Sequence, residues 1–125
     1  MSVKQSRIDI ARAYDPPGSD SGTRVLVDRM WPRGVSKESL GIEAWLRDVA
    51  PSTALRRWFG HDPARWEEFQ TRYRAELDAN PASWQPLLDA AERGPVTLVF
   101  GARDREHNQA VVLRAYLARK LAHHH

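Results

Sequence analysis

The 125-residue chain carries a formal net charge of +3, with 42% apolar residues, 28% charged residues and no cysteine. That length suits one domain with a real core, and the composition is that of a globular protein rather than a disordered or fibrous one. The missing cysteine excludes disulfides, thiolate metal sites and a cysteine nucleophile, and no apolar run nears the ~20 residues that span a bilayer.

The opening residues Met1 to Gln5 lack the apolar stretch of a secretory signal, so a cytoplasmic protein is expected. Ala122 to His125 resembles a tag remnant; the expected domain is residues 1–122, with 123–125 set aside. Arg7 to Arg12 alternates polar and apolar residues, predicting a strand with one solvated face. Tyr14 to Gly22, with Pro16-Pro17-Gly18, predicts a polar turn region. Arg24 to Asp28 reads as a short strand buried on both faces, which favours parallel pairing. The short connection equally permits an antiparallel hairpin with the first strand, and both stay open. Ser36 caps a helical turn predicted over 36–41, and Ile42 to Val49 fits either strand or helix. Ser52 or Thr53 then caps a short helix carrying Leu55, Trp58 and Phe59, which Gly60 closes.

Asp62 as cap and Pro63 at the first helical position open the clearest element. Trp66, Phe69, Tyr73 and Leu77 form its apolar stripe, beside an i, i+4 ladder of Glu68, Arg72 and Glu76, and Asn80-Pro81 stops it. The next helix is predicted to begin near Ser83, keeping Pro86 in its first turn; Leu87, Leu88 and Ala91 face inward and Gly94-Pro95 end it. Val96 to Phe100 is the strongest strand. A last helix, beginning between Asp104 and Asn108, turns Ala110, Leu113, Leu117 and Leu121 inward and Arg114, Arg119 and Lys120 to water. This order predicts a small α/β domain with a mainly parallel sheet of three or four strands flanked by helices.

Polar residues crowd the places where the second and last strands end. In open α/β sheets ligands bind outside the carboxyl ends of the strands. Asp28, Arg29, Trp31 and Arg33 read either as an anion pocket or as an internal Asp–Arg network. In the pocket, two guanidinium groups clamp a phosphate or carboxylate, Trp31 walls it and Gly34 permits close approach. In the network, the same residues pin the loop around a core tryptophan. Asp104, His107 and Asn108 sit where a helix N-terminus offers N–H groups to an anion, but capping explains Asp104 or Asn108 equally well. His107 has the chemistry of an acid or base near neutral pH, against a plain surface or capping role. His61 reads best as a turn residue between helices. Two distant native histidines without cysteine argue against a metal, and Gly101 alone makes neither a Walker loop nor a dinucleotide fingerprint, so no cofactor is expected. Trp58, Trp66, Phe69 and Tyr73 have the spacing of a core stripe rather than of a base-stacking platform.

With these residues in view, the chain resembles the domain-of-unknown-function 488 family, in its short YeaO-like branch. The resemblance rests on Leu26 to Gly34, Trp45-Leu46, Ala50 to Ser52, Leu55 to Pro63, Trp66 to Leu77, Thr97 to Phe100, Asp104 and His107 to Leu113, and covers about residues 6–118. It implies a small bacterial or archaeal α/β domain with no established reaction. It also marks Asp28, Arg29, Trp31, Arg33, Trp58, His61, Asp104 and Asn108 as family motif positions. Longer relatives carry cysteines around the last strand, where this chain has Phe100, Gly101 and His107, so thiol chemistry does not carry over.

The leading expectation is a small anionic ligand, phosphorylated or carboxylated, held by Asp28, Arg29, Trp31, Arg33, Asp104, His107 and Asn108, with enzyme status open. All but three of the 19 basic residues (Lys4, Lys37 and Lys120) are arginine, which suits oxyanion recognition but also a GC-rich genome. A nucleic-acid-binding module is the alternative, weakened by acids interleaved with the arginines. A non-catalytic interaction domain, with a homo-oligomer left open and no membrane partner, is the third.

Overall fold

A computed structural model describes residues 8–16, 18 and 22–123. The start of the first predicted strand at Arg7, part of the turn region around Pro17, and His124 and His125 lie outside the described residues. The elements are β1 (Ile8–Arg12), β2 (Thr23–Leu26), α1 (Lys37–Leu40), β3 (Ala44–Trp45), α2 (Thr53–Phe59), α3 (Trp66–Ala79), α4 (Pro81–Arg93), β4 (Val96–Phe100) and α5 (Gln109–Ala122).

The strands form a four-stranded, wholly parallel sheet in the order β1-β4-β2-β3. This corrects the hairpin alternative: β4 lies between β1 and β2, pairing Ile8 with Val96 on one side and Val25 with Leu98 on the other. Parallel strands buried on both faces read as continuous apolar runs, and every residue of β4 is buried. Alternation divides the core in two. Ile8, Val25, Val27, Val96, Leu98 and Phe100 face a large cluster built with Leu55, Phe69, Leu87 and Leu113 from α2–α5. Leu26 and Val99 face a smaller one with Ala13, Leu40 of α1, Trp31 and Trp45. Each fully buried side chain of this size contributes about 1.5–3 kcal/mol.

Local chemistry moves several boundaries. Ile42 to Val49 is neither one strand nor one helix but the two-residue β3 followed by a tight turn at Arg47–Val49. Asp62 accepts a hydrogen bond from Ala64 N (3.0 Å) and opens a 3-10 turn at Pro63–Arg65 before α3 starts at Trp66. α4 begins at Pro81 rather than near Ser83, because a first-turn proline loses no hydrogen bond. Pro86 is consequently inside the helix, not in its first turn. Glu76 leaves the predicted ladder. Only Glu68 pairs with Arg72 (2.5 Å), while Glu76 turns to α2. No helix among the described residues is long and apolar enough to cross a membrane.

Candidate functional site

The segment after β2 leads to α1 on one face of the sheet, whereas the segment after β4 leads to α5 on the other. Connections that part in this way leave a crevice between adjacent strand ends. Val27 still pairs with β4 through its N–H to Val99 O (3.0 Å), and Asp28 is the first polar residue beyond it. The Asp28 carboxylate accepts from Gly101 N (2.8 Å) through Oδ2 and from the Gln109 carboxamide through Oδ1, tying β2, β4 and α5 together. Glycine suits position 101, since a Cβ would lie 2.9 Å from Asp28 Oδ2 and displace that carboxylate. Burial pushes the Asp28 carboxyl above its ordinary value, against the opposing pull of these two donors and of Arg56.

Arg29 donates to Ala50 O (3.0 Å) and Pro51 O (3.3 Å), fixing the segment that enters α2. That helix is capped by Ser52, whose Oγ accepts from Leu55 N (3.1 Å). Glu76 of α3 accepts in turn from Ser52 N (2.8 Å) and Ser52 Oγ (2.6 Å). Leu55 and Phe59 point α2 into the core and leave Arg56 and Arg57 exposed. Gly60 ends the helix in the left-handed region at φ 52°, and His61 follows at φ 57°, the one non-glycine residue with positive φ among those described.

At the start of α5, Asp104 accepts from Glu106 N (2.9 Å) and His107 N (3.0 Å), and its Oδ2 lies 2.9 Å from His107 Nδ1. These bonds hold its carboxyl below the ordinary range. Asn108 is buried as the N-cap, accepting from Val111 N (3.1 Å) and donating to Asp104 O (2.8 Å). The His107 ring stands edge-on to Trp66 at 5.1 Å. With Nδ1 on Asp104, Nε2 is the imidazole's remaining polar atom.

A cavity of about 460 Å³ joins these pieces. Its polar lining is Arg29, Thr53, Arg56, Arg57, His61, His107, Asn108 and Gln109; Met30, Pro51, Phe59 and Phe69 supply the apolar part. No aspartate or glutamate among the described residues lines it. Arg65, Arg72 and Arg105 each lie within 4.0 Å of a carboxylate, but among the described residues Arg29, Arg56 and Arg57 have no such partner. A cavity with this lining offers donors and positive charge to an anion. No group of three or more His, Asp or Glu side chains that could hold a metal is found among the described residues.

Of the residues singled out from the sequence, Arg29, His107 and Asn108 line the cavity, while Asp28 and Asp104 stand behind it, holding Gln109 and His107. Trp31 and Arg33 lie elsewhere. The Trp31 indole donates to Val35 O (2.6 Å) and packs edge-on to Trp45 at 5.4 Å, in the smaller cluster. Burying that ring turns the chain toward α1, so Arg33 is exposed on the far side and accepts from the Tyr14 hydroxyl through its carbonyl (2.9 Å). The two arginines therefore do not converge. Arg56, Arg57 and His61 were not singled out as a group. The available signal was the Arg-Arg pair on the polar side of an amphipathic turn, followed by Gly-His.

A family model described as the inactive DUF488-N3 subclade (DUF488-N3i) matches residues 7–125. An uncharacterised protein of Mycobacterium tuberculosis H37Rv is 40% identical over 115 residues, covering 92% of this chain and 97% of its own. The uncharacterised protein YeaO of Escherichia coli K12 is 37% identical over 110 residues, covering 88% and 96%. No solved structure matches significantly. The chain belongs to the DUF488 family, among its YeaO-like members.

Proposed function

We propose that the protein is a binding domain for a small anionic ligand, held at the carboxyl ends of β2 and β4 without turnover. One observation carries the reading: three guanidinium groups with no carboxylate within 4.0 Å among the described residues, Arg29, Arg56 and Arg57, line a single cavity that no described acid lines. Guanidinium groups bind phosphate or carboxylate through paired, charge-assisted hydrogen bonds, and like charges gathered in one hollow favour an anion that neutralises them. The absence of turnover is supported by the description of the matching subclade as inactive. Asp28 spends both oxygens on Gly101 and Gln109, and Asp104 is engaged by two backbone N–H groups and His107. Neither lines the cavity; Asp28 positions Gln109 and Asp104 positions His107, which do.

Thermal unfolding with phosphate, sulfate, pyrophosphate and citrate at constant ionic strength tests this. At 100 times Kd a bound anion stabilises the native state by about 2.7 kcal/mol. At least one anion is expected to raise the Tm of the native protein and of Arg33→Ala alike, because Arg33 is outside the cavity. The Arg56→Ala/Arg57→Ala double variant is expected to keep its helical circular dichroism and lose the shift. No shift with any anion, or an equal shift in the double variant, refutes the proposal.

A further inference from the structure

We infer that the ligand of this cavity is a phosphate monoester bearing a planar ring, the chemistry of a nucleoside monophosphate. This rests on the anion reading above and narrows it. Size is the first argument. The cavity of about 460 Å³ falls within the ~300–1,000 Å³ range of organic-ligand sites. An inorganic phosphate, with one phosphorus and four oxygens, is much smaller than such a space. A bare anion satisfies the arginines and leaves most of the hollow wet.

The lining is divided accordingly. Arg56 and Arg57 come from one turn of α2, and Arg29 joins them from the end of β2. Three positive charges suit a phosphate monoester, which carries close to two negative charges at neutral pH, better than a single carboxylate. Phe59, Phe69, Pro51 and Met30 supply apolar wall for a ring, beside the neutral polar groups of Thr53, Asn108 and Gln109. Met30 lines the cavity and is 64% exposed. Thioethers pack favourably against aromatic rings and adapt to their shape.

His61 supplies the last argument. It is exposed, lines the same cavity, and its ring centroid is 6.1 Å from that of Phe59. Its φ of 57° belongs to a region that side chains enter at a cost and that glycine occupies freely. The preceding Gly60 already closes α2, so capping that helix does not require an imidazole at position 61. A planar, hydrogen-bonding ring held at backbone cost over the cavity is suited to stacking on another ring, beside the arginines that take its phosphate.

Isothermal titration at fixed ionic strength distinguishes the possibilities, with inorganic phosphate, ribose 5-phosphate, adenosine and AMP as probes. AMP is expected to bind at least tenfold more tightly than inorganic phosphate, ribose 5-phosphate or adenosine. In His61→Gly the AMP affinity is expected to fall at least fivefold, the phosphate affinity to stay within twofold, and the Tm without ligand not to drop. Phosphate or ribose 5-phosphate binding as tightly as AMP overturns the ring while leaving the anion reading intact. Undiminished AMP affinity in His61→Gly also overturns the inference. If none of the phosphate-bearing probes binds, this inference fails, while the anion reading is decided by the sulfate and citrate measurements above.

Discussion

Asp28 joins the ends of both central strands to α5, so its replacement probes fold and site together. In Asp28→Ala, Gly101 N and the Gln109 carboxamide lose their acceptor. Hydrogen bonds to a charged group contribute about 1.5–3 kcal/mol each, and part of this is offset by relief from burying the carboxylate. A net loss of about 2–4 kcal/mol follows, or roughly 10 °C in Tm for a chain of this size. Asp28→Asn keeps an acceptor for Gly101, and Gln109 can reverse its carboxamide to face the new amide, so this change costs about 1 kcal/mol near neutral pH. The pH dependence gives a sharper test. Burial raises the Asp28 carboxyl, so the folded state holds that proton more firmly than the unfolded chain does. Its contribution is therefore largest below the unfolded value of about 3.9 and declines as pH rises through the raised folded value. Asp15 and Asp104, which are lowered and contribute in the opposite sense, are present in both proteins and cancel in the difference. Urea unfolding followed by tryptophan fluorescence from pH 3.5 to 7.5 is expected to show the advantage of the native protein over Asp28→Asn shrinking as pH rises. An advantage that grows with pH would mean that Arg56 and the two donors outweigh burial, and the reasoning would be wrong.

Two glycines separate backbone conformation from crowding. Gly22→Ala combines a φ of 63° with a Cβ placed 2.3 Å from Pro95 O, and is expected to cost more than about 3 kcal/mol. Gly34→Ala has a φ of 78° but nothing within 4 Å of the new Cβ, and is expected to cost about 1 kcal/mol in the same denaturation assay. Glu76→Ala removes the acceptor for Ser52 N and Oγ, and is expected to cost about 1–3 kcal/mol. Native-state hydrogen exchange should show the loss concentrated in the first turn of α2, with β4 amides tracking only the global change.

Fold class and the order of the longer elements were legible because they depend on local periodicity, whereas the two-residue β3 is too short to show one. The unbroken apolar run of Val96 to Phe100 requires a strand covered on both faces, and Phe69, Tyr73 and Leu77 recur at helical spacing along α3. Strand order was not legible, since insertion of β4 between β1 and β2 pairs Val96 with Ile8 and Thr23, 88 and 73 positions away. Competition for one donor or acceptor was equally hidden. Glu76 satisfies a helix ladder by spacing, but the N-terminus of α2 offered it two donors in a half-buried place, and two bonds there outweigh an exposed pair worth about 0.3 kcal/mol.

The site divided along the same line. Polar residues at the ends of β2 and β4 were conspicuous because they interrupt buried runs, and that position in an α/β sheet carries meaning by itself. Which arginines turn into the crevice depends on where the bulky residues beside them are buried. Trp31 packs on Trp45 beneath α1 and takes the following chain with it, so Arg33, only four residues beyond Arg29, ends in solvent. Leu55 and Phe59 pack in the opposite core, beneath α2, and roll Arg56 and Arg57 over the hollow. Large apolar side chains choose their cluster by the area they bury, at about 25 cal/mol per Å², and the charged neighbours follow. In this fold the anion-facing residues are therefore selected by the core residues beside them. A change such as Trp31→Ala should redistribute charge around the crevice even though no atom of Trp31 lines it.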